Sequence, residues 1–303
     1  MNASLARIVP QPSRRRFLST ACAGVLTLHA AEEPAARRRP LRGIFPIAQT
    51  PFLDGGGELD VETLVRQLEF IDRGGVHGFV WPQLASEWSV LTPEERLRGA
   101  EALVTAGRER KPAIVIGVQA PDAAAAVRYA EHAAKIGADA VIALPPPGEP
   151  SPDAILDYYR QIGRATPLPL FVQAVGSMSV DFILRMWREV PTLKLIKDEA
   201  GEPLMRIARL RDDSKDEIKV FTGAHGRTLI DEMYRGSSGT MPAASFADIY
   251  ASVWDLWQAG KRKEAMDLFG KALLLITEVK FSCNVIFYFR VFYCECFHLF
   301  LGL

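Results

Sequence analysis

One lysine stands at the end of an apolar run, in the stretch LKLIKDEAGE of residues 193–202. Leu193, Leu195 and Ile196 are typical of a buried strand, where a charged Lys197 would be costly. A neutral amine in a dry pocket is a nucleophile that can form a Schiff base with a carbonyl substrate. The alternative is that Lys197 leaves the strand into solvent, because most lysines are exposed.

Two acidic residues, Asp198 and Glu199, follow this lysine directly. A carboxylate beside the amine would stabilise its charged form and raise its pKa, which opposes nucleophilic attack. We therefore expect both acidic side chains to point away from the Lys197 amine.

The elements around the lysine alternate, from residue 42 to residue 260, between short apolar runs and amphipathic stretches of helical period. The intervening helices carry start signals such as Thr92 before Pro93. Eight strands that alternate with helices over about 220 residues predict an α/β fold, a (β/α)8 TIM barrel with a C-terminal helical extension. An open doubly wound sheet is the competitor, but no glycine-rich phosphate fingerprint follows the first run. The eight runs cover residues 43–50, 78–82, 113–118, 140–145, 170–174, 193–199, 218–224 and 239–244.

The position of Lys197 within this barrel favours a catalytic role. Active sites of such barrels lie at the C-terminal ends of the strands. Lys197 falls at the C-terminal end of the sixth run.

The composition is that of an ordinary globular protein, with 303 residues of which 49% are hydrophobic and 24% are charged. The net charge is zero, so we expect no nucleic-acid partner. The four cysteines, Cys22, Cys283, Cys294 and Cys296, form no zinc or disulfide pattern. We expect neither a cofactor nor a metal.

The first 31 residues are typical of a removed export signal. SRRRFLS at residues 13–19 is similar to the twin-arginine signature, with Arg14 and Arg15 as the pair, and a mild apolar stretch follows. Residues 32–41 are then a predicted linker. A working signal would send the protein to the periplasm, and without it the protein would be cytoplasmic. The signal is the one membrane contact that we expect.

The chain ends in an unusual segment, FSCNVIFYFRVFYCECFHLFLGL, which starts at Phe281. Its length would suit a transmembrane helix of about 20 residues, but Arg290, Glu295 and His298 argue against one. Its composition departs sharply from the preceding helix, so a gene-model artefact, a buried C-terminal segment and a membrane anchor all stay open. The predicted organisation is a signal at 1–31, a linker at 32–41, a barrel with C-terminal helices at 42–280 and an atypical tail at 281–303.

Four motifs recur in an order that resembles a known superfamily. They are TPF at 50–52 with DGGGELD after it, SEWSVLTPEER at 86–96, IKDEAGE at 196–202, and FTGAHGRTLIDEMYRGSSGTMPAAS at 221–245. Their order is similar to that of the dihydrodipicolinate synthase and N-acetylneuraminate lyase superfamily of class I aldolase-type barrels. The resemblance implies that Lys197 forms the Schiff base, that the substrate is a small 2-keto acid, and that the chain forms a homo-oligomer, a tetramer or a dimer.

The chain departs from the synthases of that superfamily at several positions. Residues 83–87 stand where the synthases have Gly-Thr-Thr-Gly-Glu, and Glu87 alone is retained, so both carboxylate-binding hydroxyls are absent. Pro147 stands at the position of the catalytic tyrosine, and Gln173 at that of a second tyrosine. Met178 lies near the place of an arginine expected for a dicarboxylic substrate. A dihydrodipicolinate synthase is therefore disfavoured.

The departures lean toward a sugar-acid branch of the superfamily. GIFPIAQTPF, ALPP, FVQA and SGTMPAASFAD are similar to segments of 2-keto-3-deoxy-arabonate dehydratase and hydratase-aldolases. The resemblance implies a Schiff-base lyase that acts on a pyruvate derivative or a 2-keto-3-deoxy sugar acid, by dehydration or aldol cleavage. The alternatives are a synthase-like condensation of pyruvate with an aldehyde, and an impaired barrel that binds a keto acid.

The group that moves protons during this chemistry stays open. Glu87 is a candidate, against a structural anchor, and His225 is another, against an ordinary loop histidine. Gln173 could orient a water or a substrate hydroxyl, or else bond to the backbone of a loop. We expect the backbone N–H groups from Gly239 to Met241 to bind the substrate carboxylate, since amides can bind anions without a hydroxyl.

Overall fold

The computed structural model describes residues 39–53, 57–148 and 150–282, and within residues 278–282 it describes the backbone. The predicted export signal lies outside the described residues. So does the atypical tail after Ser282. Both therefore stay predictions.

The described residues contain eight parallel strands in one sheet. Around the sheet the order is β1-β8-β7-β6-β5-β4-β3-β2. Isolated bridges join Ile47 to both Val80 and Ala243, which brings β1 against β2 and curls the sheet into a nearly closed barrel. The predicted (β/α)8 barrel is confirmed. The strands are β1 Gly43–Ile44, β2 Gly78–Trp81, β3 Ala113–Gly117, β4 Ala140–Ala143, β5 Leu170–Ala174, β6 Leu193–Asp198, β7 Lys219–Thr222 and β8 Gly239–Thr240.

Nine α-helices lie in the same described residues. Five of them start at a side-chain cap, and each such cap is worth about 1 kcal/mol. None of the described helices combines the length and the hydropathy that crossing a bilayer requires. The helices are α1 Val61–Arg73, α2 Pro93–Gly107, α3 Ala123–Ile136, α4 Pro152–Ala165, α5 Val180–Glu189, α6 Pro203–Asp213, α7 Leu229–Tyr234, α8 Ala247–Gln258 and α9 Arg262–Ser282.

Alternation along the strands separates two apolar layers, because successive side chains of a strand point to opposite faces. The larger layer lies between the strands and the helices. The smaller one fills the barrel, where the rings of Phe45, Phe171 and Phe221 pack with centroids 5.1 to 6.3 Å apart. The barrel interior is therefore a packed apolar core, and polar groups lie above this core, toward the C-terminal ends of the strands.

The anchored part of the chain begins before the predicted boundary at residue 42. Arg39 Nη1 lies 3.0 Å from Asp139 Oδ2, and its Nη2 donates to the carbonyls of Arg108 and Arg110 at 3.1 and 3.0 Å. The last residues of the predicted linker are thus bound to the barrel.

Candidate active site

Lys197 lies inside the barrel. On β6, Leu195 belongs to the inner layer and Ile196 to the outer layer, so alternation returns Lys197 to the inside. Only 4% of Lys197 is exposed. The alternative that this lysine leaves the strand into solvent is excluded.

The two acidic neighbours behave differently from each other. Asp198 points outward, where Arg206 Nε lies 2.7 Å from its Oδ2, so the expectation for Asp198 is confirmed. For Glu199 the expectation is wrong, since its Oε2 lies 2.9 Å from Lys197 Nζ. The physical reason is alternation, which brings the second residue after Lys197 back to the same face as the lysine.

A glycine on the neighbouring strand end makes room for the Glu199 carboxylate. A Cβ built on Gly223 would lie 1.8 Å from Glu199 Oε1, which no atom pair tolerates. The next residue contributes as well, because the N–H of Ala224 donates to the same oxygen at 3.3 Å. The end of β7 therefore fixes Glu199 beside the lysine.

Burial governs the protonation of this pair. It lowers the pKa of Lys197, and the Glu199 carboxylate, which acts in the opposite direction, does not cancel that effect. Burial also acts to raise the pKa of Glu199. There the ion pair with Lys197 and the hydrogen bonds from Gln173 and Ala224 outweigh it and leave the pKa lowered. The result is an amine that loses its proton more readily than an exposed lysine, next to an ionised acceptor.

Gln173 completes the group. It lies on β5 in register with Lys197, and its Nε2 donates to Glu199 Oε2 at 2.5 Å. The side chain is fully buried, and within the described part of the chain its Oε1 has no hydrogen-bond partner. Gln173, Lys197 and Glu199 are hereafter the lysine cluster.

Three other residues that the sequence brought forward lie at the surface. Glu87 is exposed at the end of a short turn, where it adopts φ 54°. Pro147, at the position of the family tyrosine, is exposed in the loop after β4. His225 is exposed too, and its backbone carbonyl accepts from the Tyr250 hydroxyl.

The amides expected to bind the substrate carboxylate are already engaged. The N–H of Gly239 donates to Ser237 Oγ at 3.2 Å. The N–H of Met241 donates to the carbonyl of Thr222 at 2.8 Å. Neither N–H can take a substrate carboxylate without losing a bond in the barrel wall.

Sequence reasoning missed a second polar group at the same end of the barrel. Gln119 follows β3, and its Nε2 donates to the Pro82 carbonyl at 2.9 Å. Its Oε1 accepts from Gln83 Nε2, also at 2.9 Å, and both glutamines are buried. Arg96 fixes the end of β3 through 2.7 Å bonds to the carbonyls of Gly117 and Gln119. A polar residue directly after an apolar run was the available signal.

Comparison with known proteins supplies a family and relatives. The model of the dihydrodipicolinate synthetase family matches residues 40–291. L-2-keto-3-deoxyarabonate dehydratase of Azospirillum brasilense is 29% identical over 235 residues, which cover 74% of this chain and 75% of that protein. Probable 2-dehydro-3-deoxy-D-pentonate aldolase of Escherichia coli K12 is 28% identical over 243 residues, covering 77% and 80%. The crystal structure of dihydrodipicolinate synthase from Rhodopseudomonas palustris superposes with a TM-score of 0.70 at 29% identity, covering 78% of this chain and 81% of that one.

Proposed function

The chain belongs to the dihydrodipicolinate synthetase family, and on that premise we propose that it is a lyase that forms a Schiff base between Lys197 and a 2-keto acid. The observation that carries the proposal is the buried Lys197 amine at the C-terminal end of β6, 2.9 Å from Glu199. A 2-keto-3-deoxy sugar acid is the proposed substrate class. Relatives whose names specify a dehydratase and an aldolase of such acids support this choice.

The first step needs a neutral lysine. Glu199 accepts the proton from Lys197 Nζ across their 2.9 Å contact, and the freed amine attacks the 2-keto carbon of the substrate. The carbinolamine then loses its hydroxyl as water, using a proton that Glu199 returns. The product is a protonated imine, which withdraws electrons from C3.

The second step needs a proton acceptor close to C3 of that imine. Removal of the C3 proton gives an enamine, which expels the C4 hydroxyl as water once that oxygen is protonated. Alternatively, deprotonation of the C4 hydroxyl breaks the C3–C4 bond and releases an aldehyde. Glu199 is the proposed group for these transfers, because Pro147 stands in the tyrosine position and is exposed. Gln173 keeps the carboxylate in place from the neighbouring strand.

The test is reductive trapping. Purified protein is incubated with pyruvate and borohydride, and the modified peptide is located by mass spectrometry. We expect the adduct on Lys197 in the natural chain, and no adduct in Lys197→Met. Lys194→Met is the matched control, because Lys194 lies on the same strand with its side chain exposed, and it should trap normally.

Two outcomes would contradict the proposal. One is a folded natural chain that forms no adduct. The other is an adduct that persists in Lys197→Met. If trapping succeeds, the products of a panel of 2-keto-3-deoxy acids separate the two reactions, since dehydration releases water and reverse aldol cleavage releases pyruvate.

A further inference from the structure

Among the residues that the structure describes, two buried amide oxygens at the active-site end of the barrel have no hydrogen-bond partner. They are Gln83 Oε1 and Gln173 Oε1, and both side chains are fully buried. An unsatisfied buried acceptor destabilises a fold, so its presence needs an explanation such as a bound ligand. The turn after Gln83 does not supply a partner. The Ser86 N–H donates to the backbone carbonyl of Gln83 instead, and Ser86 Oγ accepts from its backbone N–H.

The surroundings fix the orientation of both amides. A carbonyl can only accept, so the Pro82 carbonyl takes Gln119 Nε2 and turns Gln119 Oε1 toward Gln83. Gln83 must therefore donate from its Nε2 to Gln119 Oε1, which leaves Gln83 Oε1 free. The Glu199 carboxylate acts on Gln173 in the same way, because it takes the Nε2 of that amide at 2.5 Å. Each glutamine therefore presents an oxygen, which accepts hydrogen bonds and cannot donate one.

The two oxygens belong to different sides of the barrel. Gln173 adjoins Lys197 on the neighbouring strand. Gln83 follows β2, and its partner Gln119 lies on the inner face of the β3 end by alternation from Val115. In the ring of eight strands, β2 is four positions from β6, and so lies across the mouth from the lysine. A substrate held at C2 by Lys197 can therefore extend toward Gln83.

We infer that Gln83 Oε1 and Gln173 Oε1 accept hydrogen bonds from substrate hydroxyls and select a polyhydroxylated 2-keto acid. The inference rests on the proposed function, because Lys197 has to hold the keto end of the substrate. A hydroxyl donates to an amide oxygen, whereas a second carboxylate would only repel it. The same pair of oxygens therefore disfavours dicarboxylic substrates.

The test compares two acids that differ by one hydroxyl. A 2-keto-3-deoxypentonate carries hydroxyls at C4 and C5, and 4-hydroxy-2-ketopentanoate lacks the one at C5. We expect the natural chain to have the higher kcat/KM for the pentonate. Gln83→Met keeps the size of the side chain and removes the oxygen, and it should reduce that preference about tenfold, the effect of one lost hydrogen bond. Gln161→Met, a surface change with the same chemistry, should leave the preference unchanged.

Further readouts keep the outcomes apart. Borohydride trapping of each acid on Lys197 reports the Schiff base directly. If trapping fails, the proposed function fails and the inference falls with it. If trapping succeeds but Gln83→Met keeps the natural preference, hydroxyl recognition by Gln83 is overturned while the Schiff base stands. Equal kcat/KM values for the two acids in the natural chain would overturn the inference even if the variant does not fold.

Discussion

Replacing Glu199 with glutamine removes the proposed proton acceptor while it changes few contacts. The carboxylate is bound by Lys197 Nζ at 2.9 Å, by Gln173 Nε2 at 2.5 Å and by the Ala224 N–H at 3.3 Å. An amide offers one acceptor oxygen, so at least one of these bonds is lost. Hydrogen bonds to charged groups are worth about 1.5–3 kcal/mol each, and we expect a loss of stability in that range.

The effect on catalysis should be much larger than the effect on the Schiff base. Loss of a positioned acid or base lowers kcat about a hundredfold to ten-thousandfold, and we expect turnover of a 2-keto-3-deoxy acid to fall by that factor in Glu199→Gln. Trapping of pyruvate by borohydride should persist, because Lys197 is still present and buried. The Glu199 carboxylate raises the pKa of Lys197, so its removal lowers that pKa further. The rise of trapping with pH, which follows the neutral amine, should therefore move to lower pH.

The assay measures the initial rate of trapping over a series of pH values, beside kcat for the same preparations. Asp198→Asn is the matched control, because Asp198 is the adjacent acid and faces outward to Arg206. Asp198→Asn should lower the melting temperature and leave the pH dependence of trapping unchanged. A Glu199→Gln variant that keeps kcat within a few-fold, or whose trapping moves to higher pH, would refute the reasoning.

Two further predictions concern Gly223 and a buried acid outside the barrel. Gly223→Ala puts a Cβ 1.8 Å from Glu199 Oε1. It should displace that carboxylate and lower kcat as Glu199→Gln does, with trapping retained; unchanged kinetics would contradict this. Burial raises the pKa of Glu232, and the hydrogen bonds from Thr222 and Thr228, which act to lower it, do not cancel that effect. The folded chain therefore keeps this proton to a higher pH than the unfolded chain does. Ionisation of Glu232 therefore lowers the free energy of unfolding as the pH rises past 4.5 and through the raised pKa. Glu232→Gln should flatten that decline in denaturant titrations, and a decline that persists would show that another group causes it.

The barrel could be predicted because its signals are local. Apolar runs and amphipathic stretches are read over windows of a few residues, and each of the eight runs contains or overlaps a strand of the structure. The burial of Lys197 did not follow from the local pattern, which left an exposed lysine open; its place at the end of the sixth run and the family resemblance favoured a buried one. Strand lengths did not follow, since β1 and β8 span two residues each where runs of several residues were expected. How far a run pairs depends on its neighbours in the sheet, which a local window does not contain.

The candidate site was predictable in part, for physical reasons that differ from residue to residue. Gln173 was found because the family resemblance places it at the position of a tyrosine, at the end of a recognisable strand. The place of Glu199 was predicted wrongly because a pKa argument was given more weight than the alternation of the strand. The bond between Gln83 and Gln119 joins residues 36 positions apart. It depends on the register between two neighbouring strand ends, so no local pattern could reveal it.

The contact between Lys197 and Glu199 resolves the conflict that made the prediction fail. A carboxylate beside an exposed lysine stabilises the ammonium and suppresses its nucleophilicity. Here the Lys197 amine is removed from water while 27% of the Glu199 side chain stays exposed, and transfer of one proton from Lys197 to Glu199 neutralises both groups. Burial therefore lowers the pKa of Lys197 although a carboxylate lies beside it, and the ion pair and hydrogen bonds of Glu199 keep the pKa of that carboxyl lowered as well. An amine that gives up its proton readily and a carboxylate that can accept it lie 2.9 Å apart, which suits the proton transfer that precedes attack. The acid next to the lysine is thus compatible with nucleophilic attack because burial of the amine outweighs the effect of the carboxylate on the Lys197 pKa.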